Sequence, residues 1–287
     1  MVNGFSRKTS FFIIGLTYVF ASLLGVICYV FCKQEINDAV LSLLVADIVA
    51  TVYVWAVGLL FKNVSVYDPY WSVAPPIILT GIAIEYGNYN AATLLLLLAI
   101  WYWAIRLTAN WAFTFKGLSY EDWRYTKYRD SQSPLVFHLI NFFGLNLMPT
   151  LVVFAVLLPG YYMISGDWQI NWLTVLGAII SMLAATIQLV ADTQAHRFRR
   201  EHQGQVCNVG LWKNGRHPNY FGEILMWWGV WLMYFSGAGW HYQPWLICGA
   251  VVNTLMFLCI SIPLMESRQL KNKPAYADYR KHTRLFI

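Results

Sequence analysis

The sequence predicts an all-α polytopic membrane bundle of about eight transmembrane helices. Three observations predict it. Only 12% of the 287 residues are charged while 58% are hydrophobic, about half the roughly 25% charge of a soluble domain. The apolar residues gather in runs near the ~20 residues that cross a bilayer. Finally, 18 of the 20 lysines and arginines fall in alternate gaps between those runs, the asymmetry of cytoplasmic loops. A soluble enzyme, a disordered regulator and a coiled coil are excluded together.

The spans follow in order. Phe11–Cys32 carries no charge. Arg7 and Lys8 before it resemble the start of a signal peptide, but the stretch is too long and ends in no small-residue cleavage site, so it reads as a retained span. Leu41–Phe61 holds one acid, Asp47. Ser72–Ile84 is shorter and contains Pro75-Pro76, a broken or tilted span. Ala91–Trp111 carries Arg106 near its end. Leu135–Ile164 is uncharged for 30 residues, about 45 Å of helix, and must tilt, kink near Gly144 or Pro149, or break. Asn171–Thr193 is the sixth. From Ile224 to Met265 there is no charge, and Gly237–Pro244 divides that run into two spans, the first starting near Tyr220. This count puts both termini in the cytoplasm and makes residues 1–287 a single integral domain, with 11–64 as N-terminal spans.

The net charge of +6 is therefore a topology signal rather than a nucleic-acid surface. The five cysteines, Cys28, Cys32, Cys207, Cys248 and Cys259, show no disulfide framework and no zinc spacing. His196, His202 and His217 form no metal pattern with carboxylates. No Walker loop, dinucleotide glycine fingerprint or nucleophile elbow is present.

Ionisable groups in a span are costly and point to function. Asp47 reads most simply as a helix–helix hydrogen bond. Tyr102, Arg106 and Asn110 recur every four residues and share one helix face, which suits a polar cavity better than lipid. Asp68, in Tyr67-Asp68-Pro69-Tyr70-Trp71-Ser72, can cap the helix that follows. Glu121-Asp122-Trp123-Arg124-Tyr125 reads as an amphipathic cytoplasmic segment. The densest polar stretch is 188–223. Gln188, Asp192 and Arg199 share a face there, and Arg216-His217-Pro218 feeds a helix whose first turn holds Asn219, Tyr220 and Glu223. Helix N-termini attract anions and guanidinium forks grip phosphate, so the stretch suits a phosphate-bearing ligand. Glu266 closes the last span, where the helix dipole disfavours an acid.

Gly210-Leu211-Trp212 followed by Arg216-His217-Pro218-Asn219-Tyr220-Phe221-Gly222-Glu223 resembles the C-terminal signature of the membrane steroid 5α-reductases and their bacterial-type branch. Tyr67-Asp68-x-x-Trp71-Ser72, Glu121-Asp122-x-Arg124-Tyr125 and the Glu266…Tyr276-x-x-Tyr279 tail resemble that branch too. The resemblance covers about 65–287, is strongest over 188–282, and makes the first span an addition to a seven-helix core. It implies NADPH as cofactor, held by Asp192, Arg199, Asn219 and Glu223. Gln188 stands where the family has Asn, and Arg106 and Asn110 where it has further contacts. Arg216, His217, Tyr220, Glu266, Arg268 and Tyr279 complete the implied cofactor set. By position the family's substrate-holding acid and tyrosine would be Asp68 and Tyr102 or Trp103, with Asp68 and Tyr102 as the expected catalytic residues and Tyr67, Trp71 and Trp103 lining the substrate; no metal is implied.

The expected reaction is hydride transfer to the β-carbon of a 3-oxo-Δ4 steroid or similar lipid enone. A tyrosine hydroxyl backed by a carboxyl would stabilise the developing enolate. The substrate enters from the bilayer, and no nucleic acid or obligate protein partner is expected. The membrane is the bacterial inner membrane or the endoplasmic reticulum, according to host. The rival is an S-adenosylmethionine-dependent methyltransferase of the isoprenylcysteine or phospholipid type, which has a similar Arg-His-Pro-x-Tyr turn and a late Glu. The Gly-Glu pair after Asn219 and the Gln188/Asp192/Arg199 face favour the dinucleotide.

Overall fold

The computed structural model describes residues 4–238 and 243–287. It is helical throughout, with no strand among the described residues; one isolated β-bridge joins Gly215 to Arg284. The helices are α1 (Arg7–Ile36), α2 (Ala39–Leu60), α3 (Tyr70–Tyr86), α4 (Ala91–Thr114), α5 (Trp123–Ser131), α6 (Pro134–Leu139), α7 (Met148–Ser165), α8 (Trp172–Glu201), α9 (Leu211–Asn214), α10 (Pro218–Ala238), α11 (Ile247–Met256), α12 (Ile262–Asn272) and α13 (Tyr276–His282).

Six helical stretches are long and apolar enough to cross a membrane: Arg7–Ile36, Ala39–Leu60, Ala91–Thr114, Pro134–Ser165, Trp172–Glu201 and Pro244–Asn272. This is a polytopic helical membrane bundle. The other two expected spans also form helices. α3 has 17 residues, short of a full crossing, and α10 mixes Glu223 and several tryptophans and tyrosines into its 21 residues. The expected break over Gly237–Pro244 lies in part, at residues 239–242, outside the described residues. The long 135–164 run is not one regular α-helix: a π-helical stretch over Ile140–Leu147, which takes in Gly144, interrupts it.

The chain forms two compact units, each built from two sequence segments: Met1–Ile78 with Trp111–Phe154, and Leu79–Asn110 with Ala155–Ile287. In the first unit, Ser6 caps α1 by accepting from the Thr9 amide at 3.1 Å, and Asp38 caps α2 through the Leu41 amide at 2.9 Å. The Arg7 guanidinium donates to the Phe115 and Ala112 carbonyls at 2.8 and 2.9 Å, anchoring α1 to the 111–118 segment. Buried Ile14, Tyr18, Ala21, Val54, Tyr67, Tyr70 and Phe115 form the core of this unit.

In the second unit α8 and α10 cross in close contact. A Cβ on Gly229 would lie 2.3 Å from Ser181 Oγ and 2.7 Å from the Gly177 carbonyl, and one on Gly222 would lie 2.5 Å from Gln188 Cγ. Lipid gives apolar side chains no reason to leave it for one another. Close backbone approach at small residues is what joins such helices. The Asn171 side chain caps α8 through the Leu173 and Thr174 amides, with Thr174 returning the bond in a capping box. The register of α8 on α10 positions the polar residues at the far end of both.

Candidate functional site

The polar stripe of α4 pairs, residue by residue, with α8. The Tyr102 hydroxyl lies 3.0 Å from Thr186 Oγ1. Arg106 Nη1 donates to Asp192 Oδ2 at 3.0 Å, and Asn110 Oδ1 meets His196 Nε2 at 2.8 Å. The partners advance along α8 in the same order as the stripe advances along α4, as two parallel helices require. His196, placed in no role by its sequence spacing, is thus the third partner.

α10 closes this network. Asn219 Nδ2 donates to Asp192 Oδ1 at 3.2 Å. Glu223 takes one indole N–H on each oxygen, from Trp103 and from Trp227, both at 2.9 Å, and Arg106 Nη2 stands 3.9 Å from it. Arg106, Gln188, Glu223 and Trp103 are all buried. Trp103, expected against substrate, is instead 0% exposed and committed to Glu223. Trp227 was not singled out by its sequence context, although it lies four residues after Glu223 on the same helix face.

Two parts of this network are unsatisfied. Gln188 is 1% exposed, yet neither its Nε2 nor its Oε1 has a partner, and the Arg106 Nε is also buried without one. Buried polar groups are normally hydrogen-bonded, and each exception calls for an explanation. Gln188 lies one turn before Asp192. Arg199, two turns beyond Asp192, is exposed and donates from Nε to the Ala195 carbonyl at 3.1 Å.

The Arg216-His217 turn is held by the tail. Glu266 Oε1 accepts from Arg216 Nε at 2.8 Å and lies 3.2 Å from His217 Nε2, while Arg280 Nε reaches Oε2 at 3.0 Å. The Arg216 and His217 amides donate to the Arg284 and Leu285 carbonyls at 2.9 and 3.2 Å. Arg216 Nη1 also donates to the Thr283 carbonyl, and Tyr279 donates to the Trp212 carbonyl. Tyr220 stacks on the His217 ring with centroids 5.3 Å apart. Glu266 does not close its helix, since α12 runs on to Asn272; it is an interior acid paired with two guanidiniums and an imidazole. Burial pushes His217 below the ordinary imidazole range, against the pull of Glu266. Arg268, also in α12, influences Lys273, whose ammonium donates to the Gln205 carbonyl at 2.8 Å.

The first unit holds a second polar cluster. Asp68 Oδ1 accepts from the Tyr125 hydroxyl and lies 3.5 Å from Arg124 Nη2. Burial pushes its carboxyl up to about 6, opposed by Arg124 and Tyr125. The carboxyl-backed tyrosine here is Tyr125, whereas Tyr102 is backed by Thr186. The Glu121–Tyr125 segment, which leads into α5, packs back onto the turn before α3. Glu121 Oε1 accepts from the Val64 amide at 2.8 Å, the Asp122 amide donates to Ser65 Oγ at 3.0 Å, and Asn63 Nδ2 donates to the Leu118 carbonyl at 2.8 Å. Tyr67 is buried with its hydroxyl 2.7 Å from Thr150 Oγ1. Trp71 packs against the core of this unit. Among the described residues no three His, Cys, Asp or Glu side chains gather as metal ligands do.

Residues 54–283 match the family model described as protein of unknown function (DUF1295). The chain belongs to that family. A relative in Schizosaccharomyces pombe, described as an uncharacterized protein, is 27% identical over 224 residues, covering 67% of this chain and 63% of the relative. The chain thus spans under two thirds of that relative's length. No solved structure matches.

Proposed function

We propose that this protein is an NADPH-dependent membrane reductase that saturates the activated C=C bond of a lipid-soluble enone, a 3-oxo-Δ4 steroid or a compound of that type. The observation that carries the reading is Gln188, a fully buried amide with an open donor and an open acceptor side by side. Each unmade bond costs about 1–3 kcal/mol. A primary carboxamide, such as that of nicotinamide, presents the matching acceptor and donor. The open Arg106 Nε supplies a third point.

NADPH would supply the hydride; the chain's residues bind and orient it. Gln188, Arg106 and Asn219 are the polar contacts, with Asp192 keeping Arg106 and Asn219 in place. Arg199 on the exposed face of α8 meets phosphate, and the first turn of α10 favours the same charge. Glu223 acts from behind, through Trp103 and Trp227. The Tyr102 hydroxyl donates to Thr186 Oγ1, since the Thr186 hydroxyl itself donates to the Met182 carbonyl; on substrate binding it would turn its proton to the enone carbonyl and stabilise the negative charge that develops there.

Isothermal titration of the purified protein with NADPH and with S-adenosylhomocysteine tests this. NADPH is expected to bind, and Gln188→Leu to weaken it at least tenfold. Binding of S-adenosylhomocysteine without NADPH would reverse the choice in favour of methyl transfer. Anaerobic incubation with NADPH and a panel of lipid enones, read as a mass gain of two hydrogens, identifies the substrate.

A further inference from the structure

Arg216, His217 and Glu266, expected as cofactor contacts, are committed to one another. Glu266 Oε1 accepts from Arg216 Nε at 2.8 Å and lies 3.2 Å from His217 Nε2, and Arg280 Nε holds Oε2 at 3.0 Å. The side chains of Arg216, His217 and Glu266 are only 13%, 4% and 7% exposed, which leaves little of them for a ligand. Residues 212–219 form a bridge standing on α8. One foot is Trp212 Nε1, which donates to the Ala191 carbonyl at 2.8 Å. The other is Asn219 Nδ2, which donates to the next residue along, Asp192, at 3.2 Å. Between the feet, the bridge runs against the end of the chain. The Arg216 and His217 amides donate to the Arg284 and Leu285 carbonyls, and a Cβ on Gly215 would lie 2.7 Å from the Ile287 nitrogen. The His217 carbonyl then accepts from the Phe221 amide at 3.0 Å, in the opening turn of α10.

We propose that the C-terminal tail is a positioning strap for the cofactor site and that Glu266 is its fastening. The strap sets where α10 begins, and so keeps Asn219 on Asp192, the residue that also holds Arg106. The proposal takes its ligand from the reductase reading and its geometry from these contacts. Glu266 is a positioning residue: it acts through Arg216 and His217 rather than on the cofactor. Removing one partner of a buried ion pair strands the charges left behind, so without Glu266 the Arg216 and Arg280 guanidiniums repel and the apex of the bridge comes loose. The sign of the consequence is distinctive, because NADPH is a polyanion. Were Arg216 and His217 phosphate contacts for which Glu266 competes, deleting the acid would free both donors, add positive charge and tighten binding. As the loss of a fastening, the same deletion weakens binding.

Two variants of the full-length protein test the strap by different routes. Glu266→Ala removes the fastening. Gly215→Ala keeps every charge and pushes the chain end off the bridge, which keeps the proposal testable should the first variant not fold. NADPH affinity by isothermal titration is expected to fall at least tenfold in both. Added formate restores a carboxylate between the guanidiniums, and is expected to recover affinity in Glu266→Ala but not in Gly215→Ala. Amide hydrogen exchange over residues 216–222, read by mass spectrometry without cofactor, is expected to quicken in both variants and to slow again with formate in Glu266→Ala alone. Unchanged or tighter NADPH binding in both variants, or wild-type exchange over 216–222 in both, would overturn the strap. Failure of the wild-type protein to bind NADPH would instead count against the reductase reading, and the exchange rates with their formate response would still decide the strap.

Discussion

Glu223→Gln isolates what the α10 acid does. The carboxylate presents two oxygens, and each takes an indole N–H at 2.9 Å, from Trp103 and Trp227. Glutamine has the same shape but only one oxygen. Its amide nitrogen must then face one of the two indole N–H groups, donor against donor. Losing a hydrogen bond to a charged group costs about 1.5–3 kcal/mol, and the stranded buried donor belongs to the same loss. Arg106 keeps its 3.0 Å partner Asp192 and loses only the 3.9 Å contact. The expected destabilisation is about 2–4 kcal/mol. Denaturation of purified protein in mixed micelles, followed by indole fluorescence, measures it. Trp227→Phe removes one of the competing donors, so the double variant should lose less than the sum of the singles, with a coupling of about 1 kcal/mol or more. A Glu223→Gln protein within 0.5 kcal/mol of wild type, or strictly additive losses, would refute a scaffolding role and return Glu223 to direct ligand contact.

Two further outcomes follow from the structure. Gly229→Ala places a methyl 2.3 Å from Ser181 Oγ and 2.7 Å from the Gly177 carbonyl. It should cost about 1–3 kcal/mol or more by forcing α8 and α10 apart, while Gly15→Ala, with nothing within 4 Å, should be neutral or stabilising in the same unfolding assay. For Asp68, raised to about 6 by burial, the folded protein holds the proton more tightly than the unfolded chain, whose value is about 3.9. Stability from this group is therefore greatest in acid and is lost as pH rises from about 4 to about 6. Arg124→Gln removes a cation that holds the value down, so an infrared titration should find the Asp68 carboxyl above the value measured in the wild-type protein, and a value at or below wild type would contradict the assigned contact.

Composition and charge placement decided the class of this protein before any contact was known. Few charges, long apolar runs and clustered cations leave a lipid-embedded helical bundle as the only solution that satisfies every backbone group. Helical periodicity also placed Tyr102, Arg106 and Asn110 on one face, and Gln188 with Asp192 on another, because spacing within one helix is local geometry. Tertiary structure decided what those faces meet. That the α4 stripe lies along α8, that Asp68 backs Tyr125, that Glu266 gathers the Arg216-His217 turn and that Trp227 shares Glu223 with Trp103 all join residues tens of positions apart or on opposite sides of a helix crossing. Such pairings are set by which small residues let two helices approach and by which buried polar groups are left to satisfy, and neither quantity exists until the chain is packed.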